Sequence, residues 1–210
     1  MFGSDFIQRA LLWGPVILFS LTVHEFFHAW SAHKFGDDTA KNMGRLTLNP
    51  LAHLDLMGTI VMVLSSFTFG WAKPVPVNPS NLKNPRVADI WISAAGPLSN
   101  LGLATISGIL YRMLELMPMS LASEPYVNQV LYGGVVINVA LAFFNLLPIF
   151  PLDGSHIMGN LLPARYYGAW ESFSRYAPFL LLLLIITGAF WYIIGPVVYT
   201  VAGLLLGHGL

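Results

Sequence analysis

The sequence predicts an all-α polytopic membrane protein, a bundle of about four to six transmembrane helices. Of its 210 residues, 56% are hydrophobic and 10% are charged, whereas about 25% of the residues in a soluble domain are charged. Its apolar stretches reach the roughly 20 residues that a helix needs to cross a bilayer. Because these stretches account for most of the chain, we expect one integral-membrane domain over 1–210.

Four stretches predict the membrane helices, and they lie over 6–33, 88–116, 127–150 and 177–206. The last stretch contains Gly195-Pro196. It is therefore either one broken helix or a helix followed by a second short span, because proline interrupts the hydrogen bonding of a helix.

The stretch 56–71 is apolar but short for a span, so it suits a re-entrant or interfacial segment. The proline-rich sequence AKPVPVNPSNLKNPR follows it and cannot form a continuous helix. We therefore expect a re-entrant segment and an extended, β-like loop on the cytoplasmic side.

The distribution of basic residues predicts the orientation, because cytoplasmic loops carry an excess of lysine and arginine. If the N-terminus lies outside, two basic residues, Arg9 and Arg112, also lie outside. The cytoplasmic set is then Lys34, Lys41, Arg45, Lys73, Lys83, Arg86, Arg165 and Arg175. A full span at 56–71 would weaken this bias, so the re-entrant interpretation is preferred.

Ionisable residues are costly inside a membrane helix, yet the first stretch contains His24, Glu25 and His28 in TVHEFFHAW. The H-E-x-x-H spacing places both histidines on one helix face, where they can share a zinc ion, and the glutamate can reach a zinc-bound water. The alternative is a hydrogen-bonded histidine pair, with Glu25 facing a water-filled crevice.

A catalytic zinc needs a third protein ligand, and the chain contains no cysteine. Asp153 directly follows the stretch 127–150 and shares the depth of His24 and His28 in the predicted topology. Its alternative role is in a simple turn, since PLDG suits a turn and Gly154 permits a sharp one. Gly96 and Asn100, in AGPLSN, are expected to serve close helix packing, and an active-site role is the alternative for Asn100.

With these residues in view, the sequence resembles the site-2 protease family of intramembrane zinc metalloproteases, in its compact bacterial-type branch without PDZ or CBS domains. The resemblance rests on the H-E-x-x-H pattern, on N-x-x-P-x-x-P-L-D-G at 145–154, and on AAGPLSN, GDDTAKNMGRLTLNPLAHLD and GWAKPVPVN.

The resemblance implies one Zn²⁺ per chain, held by His24, His28 and Asp153, with Glu25 as the catalytic base. It also implies that Asn145 helps to hold the substrate or intermediate. The PVPVN edge, which includes Pro76, Val77 and Asn78, is implied to pair with an extended substrate segment.

The implied function is hydrolysis of peptide bonds within or near transmembrane segments, as in regulated intramembrane proteolysis. We expect a catalytic core over about 6–160 and C-terminal helices over about 165–210. The expected partners are the lipid bilayer and single-span proteins such as anti-sigma factors or leftover signal peptides. The expected location is the bacterial cytoplasmic membrane, with the active site toward the cytoplasm.

Two other functions remain open: a membrane zinc transporter, and an inactive protease-like scaffold. A transporter predicts an inverted repeat, and none is visible in the sequence. A scaffold would lack a catalytic residue, whereas every expected one is present. No basic cluster indicates nucleic-acid binding, and the sequence gives no indication of the oligomeric state.

Overall fold

Helices make up the architecture, as the composition predicts. The computed structural model describes residues 4–67, 69–116 and 125–207. Within these residues the α-helices are α1 Ser4–Lys34, α2 Thr39–Asn42, α3 Leu56–Leu64, α4 Pro85–Glu115, α5 Pro125–Asn145, α6 Asp153–Leu161, α7 Tyr167–Ile186 and α8 Ala189–Leu206. Short 3₁₀ turns cover Pro50–Ala52, Pro79–Asn81 and Ala164–Tyr166. The same residues contain no strand.

Four helical segments are long and apolar enough to cross a membrane: Phe6–Lys34, Pro125–Asn145, Ala164–Ile186 and Ala189–Leu206. The predicted helix over 88–116 is present as α4, which is about 46 Å long at the α-helical rise. It falls outside this set because buried polar residues, among them Ser93 and Asn100, lower its hydropathy.

The first long helices alternate in direction across the bundle. His24 on α1 contacts Asn100 on α4, and His28 contacts Ile92. Because the later residue of α1 meets the earlier residue of α4, the two helices are antiparallel. Asn138 on α5 contacts both Asn100 and Ser20. This layer of polar contacts lies at the centre of the bundle.

The predicted stretch 177–206 is two helices that together run in the direction of α4. The break lies at Gly188, which has a left-handed φ of 71°, and not at Gly195-Pro196, which lies within α8. Near the start of α7, the Tyr167 ring is 5.8 Å from the guanidinium of Arg86. Near the end of α8, the carbonyl of Leu204 accepts a hydrogen bond from Arg112. The start of α7 therefore lies near the beginning of α4, and the end of α8 lies near the end of α4.

A hydrophobic core joins α8 to α5 and α4. Its buried residues are Ala104, Val135, Val139, Phe190, Ile194, Val198, Ala202 and Leu206. Near the start of α8, the ring of Phe190 lies 5.2 Å from that of Phe144, at the end of α5. These contacts hold α8 against α5 and α4, the helices that carry Asn138 and Asn100 of the polar layer.

Residues 54–72 form a loop whose two ends lie side by side. Helix α3 forms the first part of this loop, and an extended stretch runs back to Ala72. Leu54 and Ala72 form an isolated antiparallel bridge, and Lys73 donates its N–H to the carbonyl of His53 at 2.8 Å. The return passes so close to α3 that a Cβ on Gly58 would lie 2.1 Å from the carbonyl oxygen of Trp71. Since both ends lie together, the stretch 56–71 is not a full span.

The part of this loop that carries Phe67 packs against α1. The Phe67 ring lies 5.8 Å from that of Phe6, and its Cε1 is 3.5 Å from a Cβ placed on Gly14. The predicted β-like character of the following loop is not confirmed, because residues 73–78 form no strand. The prolines in this segment remove the backbone donors that a ladder needs.

Candidate metal centre

Three side chains from two distant parts of the chain meet at the polar layer. The Nε2 atoms of His24 and His28 are 2.9 Å apart. They lie 3.2 and 3.4 Å, respectively, from the two carboxylate oxygens of Asp153 at the start of α6. One ligand atom from each residue fits within a 4.8 Å separation, which is compatible with a shared metal ion.

Hydrogen bonds fix the orientation of both imidazoles. His24 Nδ1 lies 2.7 Å from Asn100 Oδ1, and His28 Nδ1 lies 2.7 Å from the carbonyl oxygen of Ile92. Both partners are acceptors, so each Nδ1 carries the hydrogen and each Nε2 presents a lone pair. The Asn100 amide is oriented in turn, since its Nδ2 donates to Asn138 Oδ1 at 2.8 Å.

The residues present fit a zinc ion. Two imidazole lone pairs and a carboxylate converge, and Oδ2 of Asp153 is buried without a hydrogen-bond partner. The alternative of a hydrogen-bonded histidine pair requires a second proton on one ring, whereas a divalent cation would satisfy all three acceptors together. Two nitrogens and one carboxylate are a donor set that suits zinc and leaves a fourth position open.

Gly96 on α4 closes one side of this site with its backbone. A Cβ there would lie 2.4 Å from Nε2 of His28 and 2.6 Å from Nε2 of His24. We predicted that Gly96 serves helix packing. The structure shows that the close approach is to the candidate ligands themselves, so a side chain would occupy the space of a metal.

Asn100 is the hydrogen-bond partner of a candidate ligand, which agrees with the alternative role at the site more than with helix packing alone. It is fully buried, as is nearly all of Asn138, whose Nδ2 donates to Ser20 Oγ at 2.9 Å. The sequence reasoning did not consider Asn138 or Ser20. Asn138 carried a usable signal, because a buried polar residue in an apolar helix requires a partner.

We expect Asn100→Ala to weaken zinc binding by about 10- to 100-fold, as is usual when the partner that orients a ligand is removed. Competition with a chelator would measure the affinity. Thr105→Ala, at an exposed position on the same helix, is the matched control. An unchanged affinity in Asn100→Ala would show that the amide does not hold His24.

The position of Asp153 depends on the packing of α6 against the end of α5. A Cβ on Gly154 would lie 2.2 Å from the carbonyl oxygen of Leu146. Gly154 lies inside α6 without a left-handed φ, so the alternative of a simple turn at Asp153 is not what the structure shows. The glycine is needed because α6 closely approaches the backbone of Leu146 and Leu147, which directly follow α5.

Hydrogen bonds hold the C-terminal end of α6 against the start of α4. Arg86 donates to the carbonyls of Asn160 and Leu162. Asn160 Nδ2 donates to Asp89 Oδ2 at 2.6 Å, and His156 Nδ1 lies 3.4 Å from the same oxygen. The hydrogen bond with Asp89 raises the pKa of His156. These hydrogen bonds and the close packing at Gly154 together fix the position of α6, which carries Asp153.

Glu25 and Asn145 differ in their surroundings. Glu25 is 8% exposed, and its Oε2 is buried without a hydrogen-bond partner. Asn145 is the last residue of α5, and its amide donates to the carbonyl of Leu141 in its own helix at 2.9 Å. Among the described contacts, none joins Asn145 to the candidate ligands.

The predicted substrate-binding residues lie in the segment 73–78. Val77 packs against a buried cluster formed by Ala32, Leu82, Ala88 and Ile92. Ile92 also supplies the carbonyl that orients His28. Asn78 donates its N–H to Asp37 Oδ2 at 2.7 Å. The segment therefore packs against the cluster that contains Ile92, whose carbonyl orients His28.

Sequence comparisons with known proteins identify relatives of this chain. Residues 113–186 match the profile of peptidase family M50. The chain is 41% identical over 182 residues to "Putative zinc metalloprotease YwhC" of Bacillus subtilis, covering 86% of this chain and 82% of that protein. It is 32% identical over 144 residues to "Putative zinc metalloprotease Rip2" of Mycolicibacterium smegmatis, covering 65% of this chain and 52% of that protein.

A more distant relative comes from an archaeon. The chain is 24% identical over 167 residues to "Zinc metalloprotease MJ0392" of Methanocaldococcus jannaschii, covering 78% of this chain and 39% of that protein. No solved structure matches the chain.

Proposed function

The chain belongs to peptidase family M50, the site-2 protease family, and on that premise we propose that it is an intramembrane zinc metalloprotease. It hydrolyses peptide bonds within or near the transmembrane segments of membrane proteins. The observation that carries this proposal is the convergence of His24, His28 and Asp153 in an apolar helical bundle, with Glu25 adjacent in sequence. The names of the relatives support zinc as the metal and proteolysis as the activity.

In the proposed mechanism, His24, His28 and Asp153 would hold one zinc ion. When bound, zinc lowers the pKa of a coordinated water toward about 7 and polarises the scissile carbonyl. Oε2 of Glu25 accepts a proton from the attacking water, as its lack of a partner allows. The water oxygen forms the new bond to the carbonyl carbon, and the C–N bond breaks. Glu25 then returns the proton to the leaving amine.

Two further roles complete the proposal. Asn145 helps to hold the substrate or the reacting carbonyl; its position at the end of α5, shortly before Asp153, is compatible with this role. Pro76, Val77 and Asn78 bind the substrate as an extended segment along their backbone. A transmembrane helix must unwind before it is cut, and pairing with an exposed backbone edge satisfies the groups that unwinding frees.

The proposed substrates are single-span membrane proteins, such as anti-sigma factors or leftover signal peptides, and the proposed setting is regulated intramembrane proteolysis. The protein would lie in a bacterial cytoplasmic membrane. A buried site in an apolar bundle supports a substrate that itself resides in the membrane.

We expect the N-terminus outside and the metal centre toward the cytoplasm. The chain has no cysteine, so single-cysteine variants report on one position at a time. Lys41→Cys should react with an impermeant maleimide from the cytoplasmic side, and Glu115→Cys from the outside, because α4 crosses between them. Labelling from the opposite sides would reverse the orientation.

Zinc removal and restoration test the proposed function. The purified protein is expected to cleave a single-span substrate, to lose this activity in a chelator, and to regain it with zinc. A zinc flux across proteoliposomes without any cleavage would overturn the proposal and favour a transporter. Zinc binding with neither cleavage nor transport would favour an inactive scaffold.

A further inference from the structure

The segment 73–78 is stiff before any substrate binds. Pro74 and Pro76 fix their own φ angles, and they restrict Lys73 and Val75 to extended conformations. Asn78 continues this geometry, with φ −104° and ψ 105°. The alternation of proline and valine therefore produces a preorganised extended segment.

Arg45 anchors the start of this segment from inside the protein. Its side chain is buried, with 5% exposure. Nη1 donates to the carbonyl of Pro74 at 3.1 Å, and Nη2 donates to the carbonyl of Lys73 at 2.5 Å. Nη2 also lies 3.5 Å from His53 Nδ1. One planar group thus fixes two successive carbonyls, which a lysine cannot reproduce.

The charge of Glu25 also acts on Arg45. Burial lowers the pKa of Arg45, and the negative charge of Glu25 opposes that shift.

Asp37 anchors the end of the segment. It is fully buried, and its Oδ2 accepts the N–H of Asn78 at 2.7 Å. Its Oδ1 accepts hydrogen bonds from Asn81 Nδ2 at 2.7 Å and from Thr39 Oγ1 at 2.5 Å. Burial raises the pKa of Asp37, but these hydrogen bonds outweigh it and hold the pKa below its usual range.

Between the anchors, backbone hydrogen-bonding groups are left for a ligand. Pro76 has no N–H, so Val75 and Val77 carry the N–H groups between Pro74 and Asn78. Within the described part of the chain, neither valine's N–H or C=O has a hydrogen-bond partner. Both valines are half-buried, so their unpaired backbone groups form a short accessible edge to which an extended chain can pair.

We propose that Arg45 and Asp37 are positioning residues that fix the register of the bound substrate strand and so select the peptide bond that is cleaved. The inference rests on the proposed protease function. Anchoring both ends sets where Val75 and Val77 lie relative to Glu25 and the zinc ligands. A substrate strand paired to these valines is then held at one register, and one of its carbonyls faces the metal.

The test compares the products of Arg45→Lys and Asp37→Asn with those of the wild-type enzyme, on the same single-span substrate. Lys41→Gln and Asp38→Asn are the matched controls, because both residues are exposed and lie in the same segment of chain. Mass spectrometry of the fragments identifies each cleaved bond, and zinc content and steady-state rates are measured in parallel.

We expect the two anchor variants to keep their zinc while the share of product from the principal bond falls about two-fold or more. New cuts should lie about two residues away, since a slip of one residue would turn every substrate side chain to the other face. KM should rise more than kcat falls. The control variants should cut at the wild-type bond.

An unchanged cleavage site in active, zinc-loaded anchor variants would overturn the inference and leave the proposed function intact. If the wild-type enzyme cuts nothing, the proposed function fails instead. Should both anchor variants misfold, Asn81→Ala supplies the test, because Asn81 is exposed and donates to Asp37. A single wild-type cut by this variant would also overturn the inference.

Discussion

Glu25→Gln is expected to lower the rate of peptide cleavage by about 10²- to 10⁴-fold, the usual contribution of a general acid–base group. The amide has the shape of the carboxylate but cannot take a proton from water. Zinc should stay bound, because His24, His28 and Asp153 converge without Glu25. Single-turnover rates and the ratio of zinc to protein measure the two quantities on the same samples.

Glu171→Gln is the control for this variant, since Glu171 is an exposed carboxylate on α7. It should cleave at the wild-type rate. Full activity in Glu25→Gln would contradict the role of Glu25 as base. Loss of zinc from Glu25→Gln would instead show that Glu25 helps to hold the metal.

Gly96→Ala is expected to abolish both zinc binding and cleavage. The added methyl would lie 2.4 Å from Nε2 of His28, and the hydrogen bonds of both Nδ1 atoms oppose any rotation of the rings. Displacement of ligands by about 1 Å costs on the order of 10²-fold in rate or more. Equilibrium dialysis with zinc and the cleavage assay would measure the losses.

Gly102→Ala is a closely matched control, because it lies in the same helix and a Cβ there meets no atom within 4 Å. This variant should bind zinc normally. It should also be more stable by about 0.5–1 kcal/mol, since alanine replaces glycine inside a helix. Equal zinc content in the two variants would contradict the placement of Gly96 against the ligands.

The helices could be predicted because their cause is local. Long apolar stretches in 6–33, 88–116 and 127–150 are helical in the structure, apart from the last few residues of the third. The break in the last stretch was placed at Gly195-Pro196, but it lies at Gly188. A proline inside an apolar helix is accommodated where neighbouring helices pack around it. Gly188 ends the helix because it adopts a left-handed conformation.

The candidate metal site could be predicted to the same extent. His24 and His28 follow from the helical period, and Asp153 followed from a shared depth in the topology. The hydrogen-bond partners of Asn100 and Arg45 could not be predicted, because these partners are distant in sequence. Sequence shows that a buried amide or guanidinium needs a partner, but only the packing of helices and loops identifies it.

The position of the cut in a single-span substrate tests the central claim most directly. The reconstituted enzyme and substrate would be incubated with zinc, and the fragments identified by mass spectrometry. A protease whose metal centre lies inside an apolar bundle is expected to cut within the substrate's apolar segment, near its cytoplasmic end. An intact substrate, or cuts confined to its soluble tails, would contradict the account.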